Sequence, residues 1–289
     1  MALMALLDSL PQQMCSSTLD LVTAMILFDV HQLFVTYRRA GEKPVQAVRG
    51  VDFTLREGET LGIVGESGSG KSTIAKALML LQPIAGGDIR FCGKDLERFT
   101  AADRRAYRRD VQMVFQDAVG SLNPRMTIRQ ALEEVLHHTR TAAATFRTPE
   151  ALVDLVGLST AVLDQYPREL SGGQCQRASF ARALAAGPRV LVADEPVSAL
   201  DVSVQARILN LLRDLRKNLN LAVILIAHDL AVVRNVCDRV CVMHRGIFED
   251  VGPTEEVFAH PKSDYTKTLL AAVPDVAREL ARRAAEKRS

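Results

Sequence analysis

Short apolar runs dominate the start of the chain. Residues Ile26–Tyr37 and 51–55 carry alternating or continuous apolar, β-branched and aromatic side chains, and a loop containing Gly41 and Pro44 separates them. This pattern predicts an antiparallel β region before residue 60.

Strands that end in polar residues recur further along the chain. The apolar runs Thr60–Val64, 190–193 and 221–227 each lead directly into polar side chains. After the first run and before the last, apolar residues recur at helical spacing, in one group at Ile74, Ala77, Leu78 and Leu81 and in another at Ile208, Leu211, Leu212, Leu215 and Leu219. Since ligands bind at the carboxyl edge of an open parallel sheet, we predict that the polar residues form a site there.

The middle of the chain has a different pattern. Residues 117–185 show mostly helical periodicity, interrupted by prolines, and contain no clear strand. We interpret them as an α-helical lobe inserted into an α/β domain that covers residues 25–274. The run 247–251, after a turn at 244–246, predicts a hairpin. Residues 1–24 are predicted to form a flexible extension, with Met25 as an alternative start, and residues 275–289 a surface helix or tail.

Composition and charge narrow the classes of function. The formal net charge is only +2 over 289 residues, with both signs interspersed, so nothing favours a nucleic acid partner. No stretch reaches the roughly 20 apolar residues of a spanning helix, and residues 1–25 do not resemble a signal peptide. Five cysteines form no CxxC pair and indicate free thiols; metal binding by Cys237 and Cys241 is a weaker alternative.

The strongest chemical signal follows the strand Thr60–Val64. The segment Gly65-Glu66-Ser67-Gly68-Ser69-Gly70-Lys71-Ser72 fits G-x-x-x-x-G-K-[ST], the phosphate loop of P-loop NTPases, at every position. Backbone N–H groups of such a loop, and the helix that begins near Thr73, bind phosphates. We predict that Lys71 reaches the β- and γ-phosphates of a nucleoside triphosphate and that Ser72 holds Mg²⁺. This loop alone indicates only a nucleoside triphosphate, because kinases, GTPases and recombinases share it.

An acidic pair supplies the remaining chemistry. Asp194 and Glu195 follow the apolar run 190–193, so the parallel sheet places them near the phosphate loop. We predict that Asp194 supports Mg²⁺ and that Glu195 is the general base that polarises the attacking water. Taken alone, such a pair is more often a helix cap or a solvated turn.

A second anion site is predicted at Leu170-Ser171-Gly172-Gly173-Gln174. This serine and glycine segment directly precedes a predicted helix, whose amino end attracts phosphate. Two half-sites in one chain suggest a head-to-tail dimer in which each phosphate loop faces the serine–glycine segment of the other subunit. An ordinary helix cap is the alternative for the pentapeptide alone.

Together these motifs closely resemble the nucleotide-binding subunits of ABC transporters, in the same order, from about residue 25 to 274. The resemblance implies that Tyr37 stacks on adenine, and that Gln116 contacts Mg²⁺ and water while linking to the membrane subunits. It also implies that Asp201, in Ser198-Ala199-Leu200-Asp201, crosses the dimer interface and that His228 contacts the γ-phosphate. Considered separately, Tyr37 has a core or edge-strand tyrosine as its weaker alternative, whereas His228 alone would more often be a structural histidine.

Further segments resemble the oligopeptide, dipeptide and nickel importer branch of that family. They are Phe115-Gln116-Asp117, Ser121-Leu122-Asn123-Pro124-Arg125-Met126-Thr127, Ser171-Gly172-Gly173-Gln174-Cys175-Gln176-Arg177, residues 197–205, His260-Pro261 and Tyr265-Thr266. Some branch members have a later cysteine cluster that binds iron–sulfur, but this chain has no cysteine after Cys241. The resemblance therefore does not imply that cofactor, and it leaves the transported solute open.

The resemblance implies an ATPase at the cytoplasmic face of the bacterial inner membrane. Its partners would be two transmembrane permease subunits, a second ATPase subunit and, indirectly, an extracytoplasmic solute-binding protein. The second ATPase would be a paralogue, or alternatively another copy of this chain. A soluble ABC-type ATPase of ribosomes or DNA would usually carry two cassettes or a long coiled coil, and a P-loop phosphotransferase would not need Leu170–Gln174; neither alternative fits as well.

Overall fold

A computed structural model of the chain describes residues 25–38, 41, 43–139, 148–197 and 202–272. The predicted extension at 1–24, the predicted tail at 275–289 and the loop that contains Asp201 lie outside these residues. The limits predicted for the domain and for its helical lobe therefore stay predictions.

Ten strands form two sheets in the described part of the chain. They are β1 (Ile26–Tyr37), β2 (Val45–Arg56), β3 (Thr60–Val64), β4 (Gly86–Phe91), β5 (Lys94–Asp95), β6 (Val111–Val114), β7 (Val190–Asp194), β8 (Ala222–Ala227), β9 (Arg239–His244) and β10 (Ile247–Pro253).

Ten α-helices accompany the strands over the same described residues. They are α1 (Lys71–Leu78), α2 (Ala101–Asp110), α3 (Ala118–Ser121), α4 (Ile128–His138), α5 (Pro149–Leu155), α6 (Gly172–Leu184), α7 (Val202–Leu219), α8 (Leu230–Val236), α9 (Thr254–Ala259) and α10 (Asp264–Ala271).

The first sheet is antiparallel, with the spatial order β2-β1-β4-β5. Strand β2 begins at Val45, six residues before the predicted strand at 51–55. This difference has a tertiary cause, because the added residues pair with the second half of β1, where Tyr37 lies opposite Val45. Residues 45–50 of β2 mix Val45, Ala47 and Val48 with Gln46, Arg49 and Gly50, and this short mixed run does not by itself indicate a strand.

The second sheet is mostly parallel and positions the candidate site. Its order is β10-β9-β3-β8-β7-β6, and only the β9–β10 hairpin is antiparallel. Buried parallel strands need apolar residues on both faces. In β8, Ile224 and Ile226 pack into the core shared with the first sheet and α1, whereas Val223 and Leu225 pack against the helices on the other face. The predicted α/β fold, with an antiparallel region and a mostly parallel sheet, is confirmed.

Helices α3 to α6 occupy the sequence between β6 and β7. Helices α4 and α6 each begin with a capping box, in which Thr127 and Gln130, or Ser171 and Gln174, bond each other's backbone N–H groups. Apolar residues of these helices, including Leu132 and Phe180, enter the core on the outer face of the parallel sheet.

Two further sequence expectations concern cysteines and membranes. Cys237 follows α8 and Cys241 lies in β9, so the two do not share a helix face. Burial raises the pKa of both thiols, which favours their protonated form. Within the described ranges, no helix combines the length and the apolar character that crossing a membrane would require.

Candidate functional site

The candidate site lies where four neighbouring parallel strands end. Strands β3, β8, β7 and β6 are adjacent in that order, and their carboxyl ends carry the phosphate loop, His228, Asp194 with Glu195, and Gln116. The fold therefore brings together residues far apart in the sequence: Ser72 contacts Asp194 across 122 positions, and Gln116 contacts Glu195 across 79.

The phosphate loop leads from β3 into α1. The N-cap of α1 is Gly70 with φ 115°, a residue that has no side chain to bond the first N–H groups of the helix. Ser69 is buried, and its hydroxyl has no hydrogen-bond partner among the described residues. Uncapped N–H groups and an unpartnered hydroxyl are suited to bind an anion.

Close backbone approach explains two of the loop glycines. A Cβ at Gly65 would collide with the carbonyl oxygen of Met243, and one at Gly70 would collide with that of Ala47. Both residues also have φ values in the left-handed region. The sequence motif predicts that these glycines bind phosphate, and the structure adds that they let the loop pack against the hairpin and the antiparallel sheet.

Lys71 is almost fully buried at the start of α1, with 4% of its surface exposed. Its amine donates to the carbonyl oxygens of Gly65 and Glu66, at 2.8 and 2.7 Å. Burial lowers the pKa of Lys71, and the charges of Glu195 and Asp194 oppose that shift. The amine is thus held inside the loop, close to two carboxylates.

Ser72 and Asp194 form a direct pair between α1 and β7. The Ser72 hydroxyl donates to Asp194 Oδ1 at 3.0 Å. Asp194 is 7% exposed, and burial raises its pKa, although the Ser72 hydrogen bond acts in the opposite direction. A serine hydroxyl beside a buried carboxylate supplies the oxygen ligands that Mg²⁺ prefers.

Glu195 connects the ends of three strands. Its Oε2 accepts a hydrogen bond from Gln116 Nε2 at 3.2 Å and lies 3.5 Å from His228 Nδ1. The Glu195 backbone has φ 46°, a left-handed value that costs a non-glycine residue free energy. The sequence gives no signal for this backbone conformation, which directs the side chain between Gln116 and His228.

Tyr37 lies at the end of β1, beside the phosphate loop. Its hydroxyl is 3.3 Å from the Thr73 hydroxyl in the first turn of α1, and the residue is half-buried. The structure therefore places Tyr37 next to the phosphate loop. Stacking on adenine itself stays a prediction.

The segment Ser171-Gly172-Gly173-Gln174 begins α6. Ser171 and Gly172 are exposed, but the Ser171 hydroxyl accepts from Gln174 N at 3.3 Å, and Gln174 Oε1 accepts from Ser171 N at 2.9 Å. Gly173 packs closely on α7, because a Cβ there would lie 2.8 Å from Cγ1 of Val204. The segment therefore caps its own helix, and an exposed amino end remains available to a partner.

Another contact to the phosphate loop was not anticipated from the sequence. In the β9–β10 turn, Gly246 N donates to Ser69 O at 2.8 Å, and Gly246 O accepts from Arg49 N at 2.8 Å. The hairpin thus supports the loop from outside. The sequence of the turn carries no phosphate-binding motif, so this contact can be found only from the fold.

These groups fit MgATP. The loop offers uncapped N–H groups, the Ser69 hydroxyl and the Lys71 amine for phosphate oxygens, and Ser72 with Asp194 offers ligands for the cation. Gln116, Glu195 and His228 can bind a water beside them.

Comparison with known proteins identifies similar chains. Residues 48–198 match the family described as ABC transporter. The oligopeptide transport ATP-binding protein OppF of Lactococcus lactis subsp. lactis (strain IL1403) is 44% identical over 247 residues, covering 85% of this chain and 77% of OppF. OppF of Escherichia coli (strain K12) is 47% identical over 235 residues, covering 80% and 70%.

A dipeptide relative and a solved structure extend the comparison. The dipeptide transport ATP-binding protein DppF of Lactococcus lactis subsp. cremoris (strain MG1363) is 44% identical over 251 residues, covering 85% of this chain and 80% of DppF. The dimeric post-hydrolysis structure of the ATP-binding cassette MJ0796, bound to ADP and Pi, has a TM-score of 0.69 and 28% identity, covering 79% of this chain and 99% of that one. The chain therefore belongs to the ABC transporter ATP-binding family and is an ATPase.

Proposed function

We propose that the chain is the ATPase subunit that energises a peptide importer in the bacterial inner membrane. A single observation carries this proposal: one edge of the sheet holds two groups of contacting side chains. Ser72 contacts Asp194, and Glu195 contacts both Gln116 and His228. The relatives named for oligopeptide and dipeptide transport support the choice of solute.

Each side chain has a defined role in the proposed hydrolysis. Lys71 and the loop N–H groups bind the β- and γ-phosphates, and Ser72, Asp194 and Gln116 hold Mg²⁺, directly or through water. When bound, Mg²⁺ neutralises charge that develops on the phosphate oxygens. Glu195 accepts the proton of the attacking water, while His228 and Gln116 orient that water.

ATP is proposed to join two ATPase subunits. In this arrangement, Ser171, Gly172, Gly173 and Gln174 face the nucleotide bound to the partner, and Asp201 crosses the interface. The exposed amino end of α6 and the dimeric state of the MJ0796 structure support it. We propose a paralogous ATPase as the partner, with another copy of this chain as the alternative.

Two permease subunits and an extracytoplasmic solute-binding protein complete the proposed importer. An exposed apolar pair beside Gln116, Phe115 and Val119, provides a contact for a permease subunit. Arg182 of α6 donates to Ser121 O of α3 at 2.7 Å, and this bond links the segment after Gln116 to the helix that Ser171 begins. Peptide is preferred to nickel as the solute, since the relatives described above carry peptide names.

The Glu195→Gln variant tests the paired-site proposal. Loss of the general base should reduce hydrolysis on the order of 10²–10⁴-fold while MgATP still binds. Size-exclusion chromatography with light scattering should then show an MgATP-dependent ATPase pair. The measurement is made on this chain alone and together with its paralogue and the permeases.

The two settings distinguish the partners. A pair formed by this chain alone identifies a self-sufficient dimer, and a pair formed only with the paralogue identifies a heteromeric motor. Absence of MgATP-dependent assembly in both settings, with ATP still bound, would refute the paired site.

A further inference from the structure

Tyr265, in the first turn of α10, contacts the phosphate loop. Its hydroxyl oxygen accepts a hydrogen bond from the backbone N–H of Glu66 at 3.2 Å, across 199 positions of sequence. Tyr265 lies in one of the segments that resemble the importer branch, and the hydrolytic roles proposed above do not use it.

The Glu66 N–H belongs to the same peptide unit as the Gly65 carbonyl. That carbonyl accepts a hydrogen bond from the Lys71 amine at 2.8 Å. Because a peptide unit is planar, holding its N–H also fixes the direction of its C=O. Tyr265 and Lys71 therefore hold opposite sides of one peptide.

The Tyr265 ring is itself fixed by a stack. It lies parallel to the His244 imidazole, with ring centroids 4.0 Å apart and an interplanar angle of 7°. His244 Nδ1 lies 3.5 Å from Glu249 Oε1 across the β9–β10 hairpin. The stack and this contact hold the Tyr265 ring in place, so that its hydroxyl stays close to the Glu66 N–H.

The segment before α10 is anchored to the same hairpin. The backbone N–H groups of Lys262 and Ser263 donate to the Asp250 carboxylate at 3.2 and 3.0 Å. The Ser263 hydroxyl donates to Glu249 at 2.9 Å and accepts from Tyr265 N at 3.2 Å as the helix cap. These bonds leave α10 little freedom to move Tyr265 away from the loop.

We propose that Tyr265 is a positioning residue for the phosphate loop, holding the Gly65–Glu66 peptide so that Lys71 is ordered before ATP arrives. The inference rests on the proposed contact between Lys71 and phosphate. Without the hydroxyl, the peptide and the lysine amine lose part of their order, and nucleotide binding must restore it. The loss therefore weakens ATP binding more than it slows turnover at saturating ATP.

The Tyr265→Phe variant tests this role, because it removes the hydroxyl and keeps the ring that stacks on His244. In the full chain with Mg²⁺, the dissociation constant of N-methylanthraniloyl-ATP should rise about two- to tenfold, the range expected for one hydrogen bond. In the assembled transporter, the KM for ATP should rise by a similar factor with kcat unchanged. Tyr265→Leu, which also removes the stack, should give a larger rise.

Tyr107→Phe is the matched control. Tyr107 is buried and donates its hydroxyl to the Leu78 carbonyl, away from the loop, so its loss should lower the melting temperature without changing the ATP dissociation constant. Lys71→Ala should bind the nucleotide poorly if the phosphate site is correct.

The outcomes separate the inference from its premise. An unchanged dissociation constant in Tyr265→Phe, or a change equal to that of Tyr107→Phe, would overturn the positioning role. If Lys71→Ala binds the nucleotide as tightly as the wild type does, the proposed contact between Lys71 and phosphate would instead be contradicted.

Discussion

At the residue scale, the buried carboxylate Asp194 is suited to a cation rather than to the stability of the free protein. It is 7% exposed, it lies next to Glu195, and its hydrogen bond with the Ser72 hydroxyl does not cancel the cost of burial, which raises its pKa. A buried charge of this kind destabilises the fold until a cation binds. Asp194 therefore lowers the stability of the nucleotide-free protein while it provides a ligand for the cation.

We predict that Asp194→Asn stabilises the nucleotide-free protein. The neutral amide can still accept the Ser72 hydrogen bond, so the melting temperature should rise, by about 2–4 °C for each kcal/mol gained in a chain of this size. The additional stabilisation that MgATP gives to the wild type should disappear. Differential scanning fluorimetry with and without MgATP measures both effects.

Asp250→Asn provides the contrasting control. Asp250 is equally buried, but its two oxygens accept backbone N–H groups of Lys262 and Ser263. An amide cannot accept both, so this variant should be less stable than the wild type. A lower melting temperature in Asp194→Asn, with the MgATP effect retained, would contradict the role given to Asp194.

At the element scale, the amino ends of α4 and α6 have the same capping box but different predicted functions. Thr127 and Ser171 each accept a hydrogen bond at 3.3 Å from the N–H three residues later, supplied by Gln130 and Gln174. Only the α6 end is predicted to face a nucleotide bound to a partner. A pair of equivalent substitutions can therefore separate capping from nucleotide binding.

We predict that Ser171→Ala and Thr127→Ala lower the stability by similar amounts, about 0.5–2 kcal/mol each, because both remove a cap. Only Ser171→Ala should reduce the MgATP-dependent pairing of ATPase subunits. Urea unfolding and light scattering, in the Glu195→Gln background, check the two parts. Equal loss of pairing in both variants would mean that Ser171 acts through helix stability alone.

The elements that the sequence predicts are those with strong local patterns. The strand Thr60–Val64 matches β3, and the runs at 190–193 and 221–227 match β7 and β8 within one residue, because fully buried strands need continuous apolar residues. The motifs at the strand ends followed from these assignments.

Other features depend on tertiary contacts that no local pattern records. The early residues of β2 are strand only because they pair with β1, and the short strands β4 and β5 were not predicted. The left-handed backbone of Glu195 and the contact of Tyr265 with Glu66 are likewise set by packing between distant segments. Sequence patterns therefore predict the candidate site more completely than they predict its supports.

At the scale of the whole molecule, the exposed apolar surface beside Gln116 is the proposed contact for a permease. Val119 is 50% exposed in α3, whereas Leu81, which follows α1, is 61% exposed without any assigned partner. Both side chains are exposed to solvent in the free chain, so a charged residue at either position should leave the fold intact.

We predict that Val119→Asp weakens assembly with the permease subunits and that Leu81→Asp does not. Burying an unpaired carboxylate in an apolar interface is costly, whereas an exposed one is solvated. Co-purification with affinity-tagged permeases measures assembly, and ATP binding by each isolated variant confirms that the nucleotide site is intact. Equal assembly of both variants would mean that the permease contact lies elsewhere on the chain.

The most direct test of the central proposal is ATP-driven uptake by the reconstituted transporter. Proteoliposomes contain this chain, its paralogous ATPase and two permeases, with the solute-binding protein, and receive a labelled oligopeptide or labelled nickel. We expect peptide uptake that requires MgATP and is abolished by Lys71→Ala in this chain. Uptake of nickel but not peptide, or peptide uptake that Lys71→Ala leaves unchanged, would contradict it.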